Sequence, residues 1–191
     1  LSPRYVAIVD KPETLNKDFV IDMHHVSREV DEDMYADFMW GMITGYDAAA
    51  AMKMLDNSTE PLLIKDAVAT ITELKSAKWF DRYAWVDDHS RGLWGQKQSK
   101  DAQVESDSID MKEILKKFTD LYEAYDPDLV VTAAHATQRN LEMPFSLGNL
   151  RPKDGKLYAD DRFTKTQWDL KESGKRRVYF AVGNCLIGDV N

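Results

Sequence analysis

The chain has 191 residues, 43% of them hydrophobic and 30% charged, a globular composition with no sign of disorder. Twenty-five Lys and Arg against 33 Asp and Glu leave a formal net charge of −8, which argues against a protein whose main business is neutralising nucleic-acid phosphates or binding anionic membranes. A single cysteine, Cys185, excludes an intrachain disulfide and a cysteine-based zinc cluster, and no apolar run approaches the roughly 20 residues of a transmembrane helix.

At about 150 residues per domain, one domain is the expectation, with a core that buries about 70% of the unfolded surface. It would comprise a first αβ half (1–72), an irregular region (73–108) and a last half (109–191). The chain starts at Leu1 rather than Met, as it would if a signal peptide or other leading segment had been removed.

Taken in chain order, Arg4 to Asp10 is a short β-branched and aromatic run that predicts a buried strand. Asn16 then caps a helix carrying Phe19, Val20, Met23, Val26 and Val30 at helical spacing. Phe38 to Thr44 is a second apolar run, and Asp47 caps an alanine-rich helix through Leu55. After the Asn57–Pro61 loop, Leu62 to Ile71 contains a strand. Glu73 to Phe80 is helical in character and Tyr83 to Val86 strand-like. Asp87 to Ser108 is polar and rich in Gly, Gln, Lys and Ser, which predicts a long loop.

The clearest helix follows. Met111, Ile114, Leu115, Phe118, Leu121, Tyr122 and Tyr125 recur at steps of three and four, between a cap at Asp110 and a stop at Pro127. Leu129 to Ala134 predicts a buried strand ending at His135. Pro152-Lys153-Asp154-Gly155 predicts a hairpin turn between Leu147–Arg151 and Lys156–Ala159. Val178 to Val182 predicts another buried strand, ending at Gly183-Asn184-Cys185. Strands alternating with helices give an α/β fold, a mostly parallel sheet flanked by helices on both faces.

Two reactive side chains thus sit at strand ends, His135 after one strand and Cys185 after another. Ligands of open α/β sheets bind beyond the carboxyl ends of the strands, so neighbouring parallel strands would open both groups into one crevice. A free thiol near pKa 8.5 is only a few per cent thiolate at neutral pH. An imidazole beside it stabilises the thiolate and can protonate a leaving amine. Taken singly, a cysteine after an apolar strand is usually a small core residue and a lone histidine a structural one. The matched placement is what sets the pair apart.

The blocks Leu129-Val130-Val131-Thr132-Ala133-Ala134-His135-Ala136 and Val178-Tyr179-Phe180-Ala181-Val182-Gly183-Asn184-Cys185 resemble the histidine and cysteine blocks of caspase-like cysteine peptidases. Within that group the gingipain branch is the most similar. Asp33-Met34-Tyr35-Ala36-Asp37, running on through Gly41 to Gly45, resembles its upstream Asp … Tyr-Ala-Asp … Gly-Arg-Ile stretch. The resemblance implies a three-layer α/β sandwich and a cysteine endopeptidase with nucleophile Cys185 and general acid/base His135. It also implies oxyanion donors at the backbone N–H groups of Ala136 and Cys185. The family usually has glycine where this chain has Ala136, and often alanine where it has Asn184. Caspase-like domains also continue beyond the nucleophile, whereas only Leu186 to Asn191 follows here, so a C-terminal chain or segment is expected to complete the domain.

The expected partner is a peptide or protein substrate, with no nucleic acid and no membrane span, and the resemblance favours an extracytoplasmic location. No cofactor is implied. A structural calcium, as gingipain-like domains often bind, would look to Asp87-Asp88-His89, Asp160-Asp161 or Asp31-Glu32-Asp33, but no EF-hand spacing is present and solvated acidic turns are the plainer reading. His24-His25 lack a metalloprotease spacing. Trp79, Trp85 and Trp94 could line a groove or belong to the core. Two alternatives to the peptidase stay open: a non-catalytic caspase-like module for binding or assembly, and a cysteine amidase acting on a small molecule.

Overall fold

The computed structural model describes residues 3–56, 60–71, 74–87, 91–136, 141–142, 148–154 and 156–182. These fall into two compact units, one ending at Pro61 and the other beginning at Leu62.

In the first unit, β1 (Tyr5–Val9) and β2 (Met39–Ile43) pair in parallel, with Tyr5 opposite Met39 and Val9 opposite Ile43. The crossover between them holds α1 (Lys17–Val26), capped by the Asn16 carboxamide oxygen, which accepts the Phe19 N–H at 3.0 Å. The expected cap at Asp47 is present too: its carboxylate accepts the Ala50 N–H at 2.7 Å and starts α2 (Ala48–Asp56). Arg4 to Asp10 is a strand as expected, but not a buried one. Tyr5 (66% exposed), Ala7 and Val9 form one face with Met39 and leave it open, while Val6 and Ile8 on the other face are half-buried. A ladder of two strands has too little surface to cover both of its faces.

The second unit contains β3 (Asp66–Ala69), β4 (Arg82–Val86), β5 (Leu93–Lys97), β6 (Glu105–Ser108), α3 (Ile114–Tyr125) and β7 (Leu129–Ala133). It continues through β8 (Leu141–Glu142), β9 (Gly148–Lys153), β10 (Lys156–Asp161), β11 (Gln167–Asp169) and β12 (Val178–Val182). Six strands form one sheet in the order β12-β7-β3-β4-β5-β6. The first four are mutually parallel, and β5 and β6 are antiparallel additions. A separate antiparallel sheet runs β11-β10-β9-β8. The α/β class therefore stands, with mixed and antiparallel sheets where a mostly parallel one was expected.

Alternation along the parallel strands builds two apolar faces. Val68, Ala84, Val86 and Val130 face α3 and join Ile114, Leu115, Phe118, Leu121, Tyr122 and Tyr125 in the main core. Leu150 and Ala159, from β9 and β10, pack into the same cluster, so the hairpin shields this helix. Ala67, Ala69, Tyr83 and Trp85 face the other way, where Ala77 from the short 3-10 segment Leu74–Trp79 packs among them. The helix expected over Glu73 to Phe80 is thus a 3-10 segment within the described residues. α3 itself is as expected: Asp110 caps a 3-10 turn at Met111–Glu113 that leads into it, and Asp126 ends it in the left-handed region at φ 41° ahead of Pro127.

The long polar loop expected over Asp87 to Ser108 is instead the antiparallel pair β5 and β6. Hydropathy hid it because β6 is an edge strand exposed at all four positions, a usual place for charge. Two residues of β5 read as loop for other reasons. A Cβ on Gly95 would stand 2.6 Å from the Trp85 indole, so only glycine lets the strands pair there. Lys97 is buried, its ammonium donating to the Phe80 and Ala77 carbonyls at 2.8 and 3.2 Å.

At the amino ends of the parallel strands lies a polar clasp. The buried Asp128 carboxylate accepts the N–H groups of Lys65 and Asp66 at 2.9 and 3.0 Å and pairs with the Lys175 ammonium at 2.8 Å. Asp66 takes a bidentate fork from Arg82 at 3.0 and 2.6 Å, and Arg82 also donates to the Tyr125 carbonyl at 2.8 Å. Arg177, just before β12, donates to Asp126 at 2.7 Å and to the Pro127 carbonyl at 2.6 Å, and lies over the Tyr122 ring.

Burial alone would raise the Asp128 carboxyl; the Lys175 ammonium and the two backbone donors outweigh it and hold the group below its ordinary value. A lowered carboxyl stabilises the fold above the unfolded value, and that contribution disappears as pH falls through the folded one. Asp128→Asn is expected to cost about 2–3 kcal/mol at pH 7. In urea unfolding the gap between wild type and variant should narrow once pH drops below about 4.

Candidate functional site

The strand that precedes His135 and the strand that precedes Cys185 are neighbours. β7 and β12 run parallel in register, Leu129 opposite Val178 and Ala133 opposite Val182. β3 lies on the other side of β7, Ala69 opposite Val131. The carboxyl ends of three strands therefore emerge side by side, the place where open α/β sheets hold ligands. β12 was expected to be buried; among the described strands it is the edge of the sheet, and Phe180 is 60% exposed.

His135 stands two residues past Ala133 and is exposed, while Ala136 after it is buried. Cys185 lies outside the described residues, as do Gly183 and Asn184. Of the expected dyad and oxyanion donors, the structure therefore describes His135, Ala136 and the adjacent strands that lead toward both halves.

Three hydroxyls hold the end of β7. The fully buried Thr70 accepts the Ala133 N–H on its Oγ1 at 3.0 Å, and its own N–H donates to the Val131 carbonyl at 2.9 Å. On the other side, Thr132 Oγ1 and the Tyr179 hydroxyl share a hydrogen bond of 2.7 Å, joining β7 to β12. Burial pushes the Tyr179 phenol up to about 12, against the opposing pull of Thr132, so it stays neutral at physiological pH. Sequence reading passed over all three residues because each sits in an apolar run as a β-branched or aromatic strand former. The available signal was a threonine near the carboxyl end of each of two predicted strands.

Described members of the acidic clusters bond within the chain. Asp87, expected in a solvated turn, is buried at the end of β4 and bonded by Arg91 through its N–H (2.7 Å), Nε (3.3 Å) and Nη2 (2.9 Å). Asp88 and His89 lie outside the described residues. Asp160 pairs with Arg151 at 2.8 Å, and the Asp161 carboxylate accepts the N–H groups of Phe163 and Thr164. Asp31 and Asp33 accept the N–H groups of Asp33 and Tyr35. Among the described residues, no three His, Cys, Asp or Glu side chains are grouped to hold a metal ion. His24 packs edge-on against Trp40 with ring centroids 5.3 Å apart.

The three tryptophans do not share a groove. Trp85 is core, Trp79 is 73% exposed, and Trp94 is half-buried under the Lys117 ammonium. A cavity of 380 Å³ between α3 and the β10–β11 turn is lined by Lys112, Lys116, Lys117, Asp161 and Trp168 among others, and His135 is not part of it. No helix among the described residues is long and apolar enough to cross a membrane. No protein-family model, curated protein or solved structure matches this chain.

Tyr179→Phe removes the Thr132 partner and is expected to cost about 1 kcal/mol at neutral pH. Since the Tyr179 phenol is raised in the fold, it stabilises below the unfolded value and loses that contribution as pH climbs. Wild type should therefore lose stability more steeply than Tyr179→Phe between about pH 10 and its folded value of about 12, read by urea unfolding.

Proposed function

We propose that this chain carries the histidine- and cysteine-bearing part of a caspase-like cysteine peptidase, with Cys185 as nucleophile and His135 as general acid/base. The observation that carries the reading is the parallel, in-register pairing of β7 with β12. Adjacent strands stand about 4.8 Å apart. The chain segments that continue to His135 and to Cys185 therefore leave the sheet from adjacent strand ends. A larger sandwich of the caspase type is the architecture this reading implies.

In the reaction, the Cys185 thiolate attacks the peptide carbonyl carbon and a C–S bond forms. The oxyanion of the tetrahedral intermediate takes hydrogen bonds from the backbone N–H groups of Cys185 and Ala136, an arrangement whose single donors are commonly worth about 100- to 1000-fold in rate. His135 delivers its proton to the leaving amine as the C–N bond breaks and a thioester remains. His135 then takes a proton from water, hydroxide adds to the thioester, and the thiolate leaves.

Ala136 and Asn184, where the family prefers smaller residues, favour the second reading, a caspase-like module that binds without turnover. One experiment separates the two. The chain has one cysteine, so iodoacetamide labels Cys185 alone. The dyad predicts alkylation at neutral pH several-fold faster than free cysteine, slowed to the free rate by His135→Ala, together with cleavage in a peptide library that Cys185→Ala abolishes. A thiol no faster than free cysteine, with no cleavage, would overturn the peptidase.

A further inference from the structure

We propose that Thr70 is a positioning residue for His135, its buried hydroxyl fixing the peptide that aims the imidazole; this inference rests on the Cys–His reading above. β3 and β7 pair through Ala69 and Val131, after which the main chain of β3 ends. The Thr70 side chain extends the ladder by one more bond, accepting the Ala133 N–H at 3.0 Å while the Thr70 N–H donates to Val131. Ala133 is only two residues before His135. A turn of the Ala133 peptide about its flanking bonds would swing the histidine away from whatever it serves.

The residue type supports the assignment. Thr70 is fully buried in an apolar run, where valine has the same shape and no polar atom. A hydroxyl at such a position needs a hydrogen-bond partner, and here that partner is the N–H of the strand leading to His135. β-Branching restricts χ1, so threonine holds the acceptor in place better than serine would. Val131 and Ala133 meet β3 through Thr70 on one side, and Thr132 meets β12 through Tyr179 on the other. The last peptides of β7 are therefore clamped from both flanks.

The test compares Thr70→Val, Thr70→Ser and His135→Ala in the full chain, with three readouts: iodoacetamide alkylation of Cys185, the His135 ring signal in histidine-labelled NMR spectra assigned by loss in His135→Ala, and melting temperature. Thr70→Val is expected to remove most of the several-fold acceleration, bringing alkylation toward the His135→Ala rate, and to move the His135 signal. Thr70→Ser should recover most of the rate and signal because it keeps the acceptor. If Thr70→Val does not give a folded chain, Thr70→Ala is measured in the same way, its smaller side chain leaving room for water at the Ala133 N–H. A folded Thr70→Val with the wild-type rate and signal overturns the positioning role and leaves the dyad standing. Equal alkylation of wild type and His135→Ala overturns the dyad, and the positioning role with it. Loss of melting temperature with rate and signal unchanged assigns Thr70 to stability alone and also overturns the proposal.

Discussion

A carboxylate at the head of β7 sets the alignment from which the rest of the second unit follows. Parallel strands enter their sheet from separate crossovers, and nothing in the ladder itself ties one entry point to the next. Asp128 supplies that tie. Its side chain takes the two N–H groups that open β3, and its carbonyl takes the Val178 N–H that opens β12. Asp66, thus seated, holds Arg82 at the head of β4, and Lys175 bridges to Asp128. Four strands start level because one buried anion and its cations hold them so. Bonds to a charged acceptor in a shielded place are stronger than neutral ones, and losing one partner leaves the others exposed to the full cost of burial.

Alignment at one end carries to the other. β3, β7 and β12 are short, four or five residues each, and cannot drift far over that length. Their carboxyl ends emerge level, and the chemistry there has a different character. Charged pairs dominate the amino ends, whereas hydroxyls hold the carboxyl end of β7: Thr70 toward β3, Thr132 with Tyr179 toward β12. Asp87, at the end of β4, has a guanidinium from Arg91 against it. The strand end that leads to His135 is thus held by hydroxyls on its two flanks, not by the ion pairs that align the amino ends.

Much of this was legible in the sequence, and the failures have causes. Periodicity placed α3 with its caps because Ile114, Leu115, Phe118, Leu121 and Tyr122 all pack one way, and helical spacing records that directly. β7, β12 and the β9–β10 hairpin were legible as apolar runs and a turn. β5 and β6 were not. An edge strand is polar by necessity, Gly95 is demanded by an indole on the neighbouring strand, and Lys97 is buried against carbonyls contributed from Ala77 and Phe80. None of these causes lies within the segment itself. The same reason hid Thr70: its role is defined by a bond 63 positions away, and no local pattern reports a partner at that distance. His135 was legible as a strand-end residue. That its strand adjoins the one leading to Cys185 is a fact of topology, which composition and spacing do not contain.

The Thr132–Tyr179 bond shows why that adjacency is specific. In the observed register Tyr179 lies opposite Val130 and Ala181 opposite Thr132, so the phenol and the threonine are diagonal neighbours on one face. A slip of one residue would turn every side chain of β12 to the opposite face. Tyr179 would lose Thr132, and Phe180, now 60% exposed, would turn inward in its place. A largely buried phenol without a partner is costly, whereas the aromatic that lacks a hydroxyl is the one facing out. The alternation of a bonded tyrosine with an exposed phenylalanine thus selects a single register between the two strands. Any chemistry shared by the residues that follow Ala133 and Val182 depends on that choice.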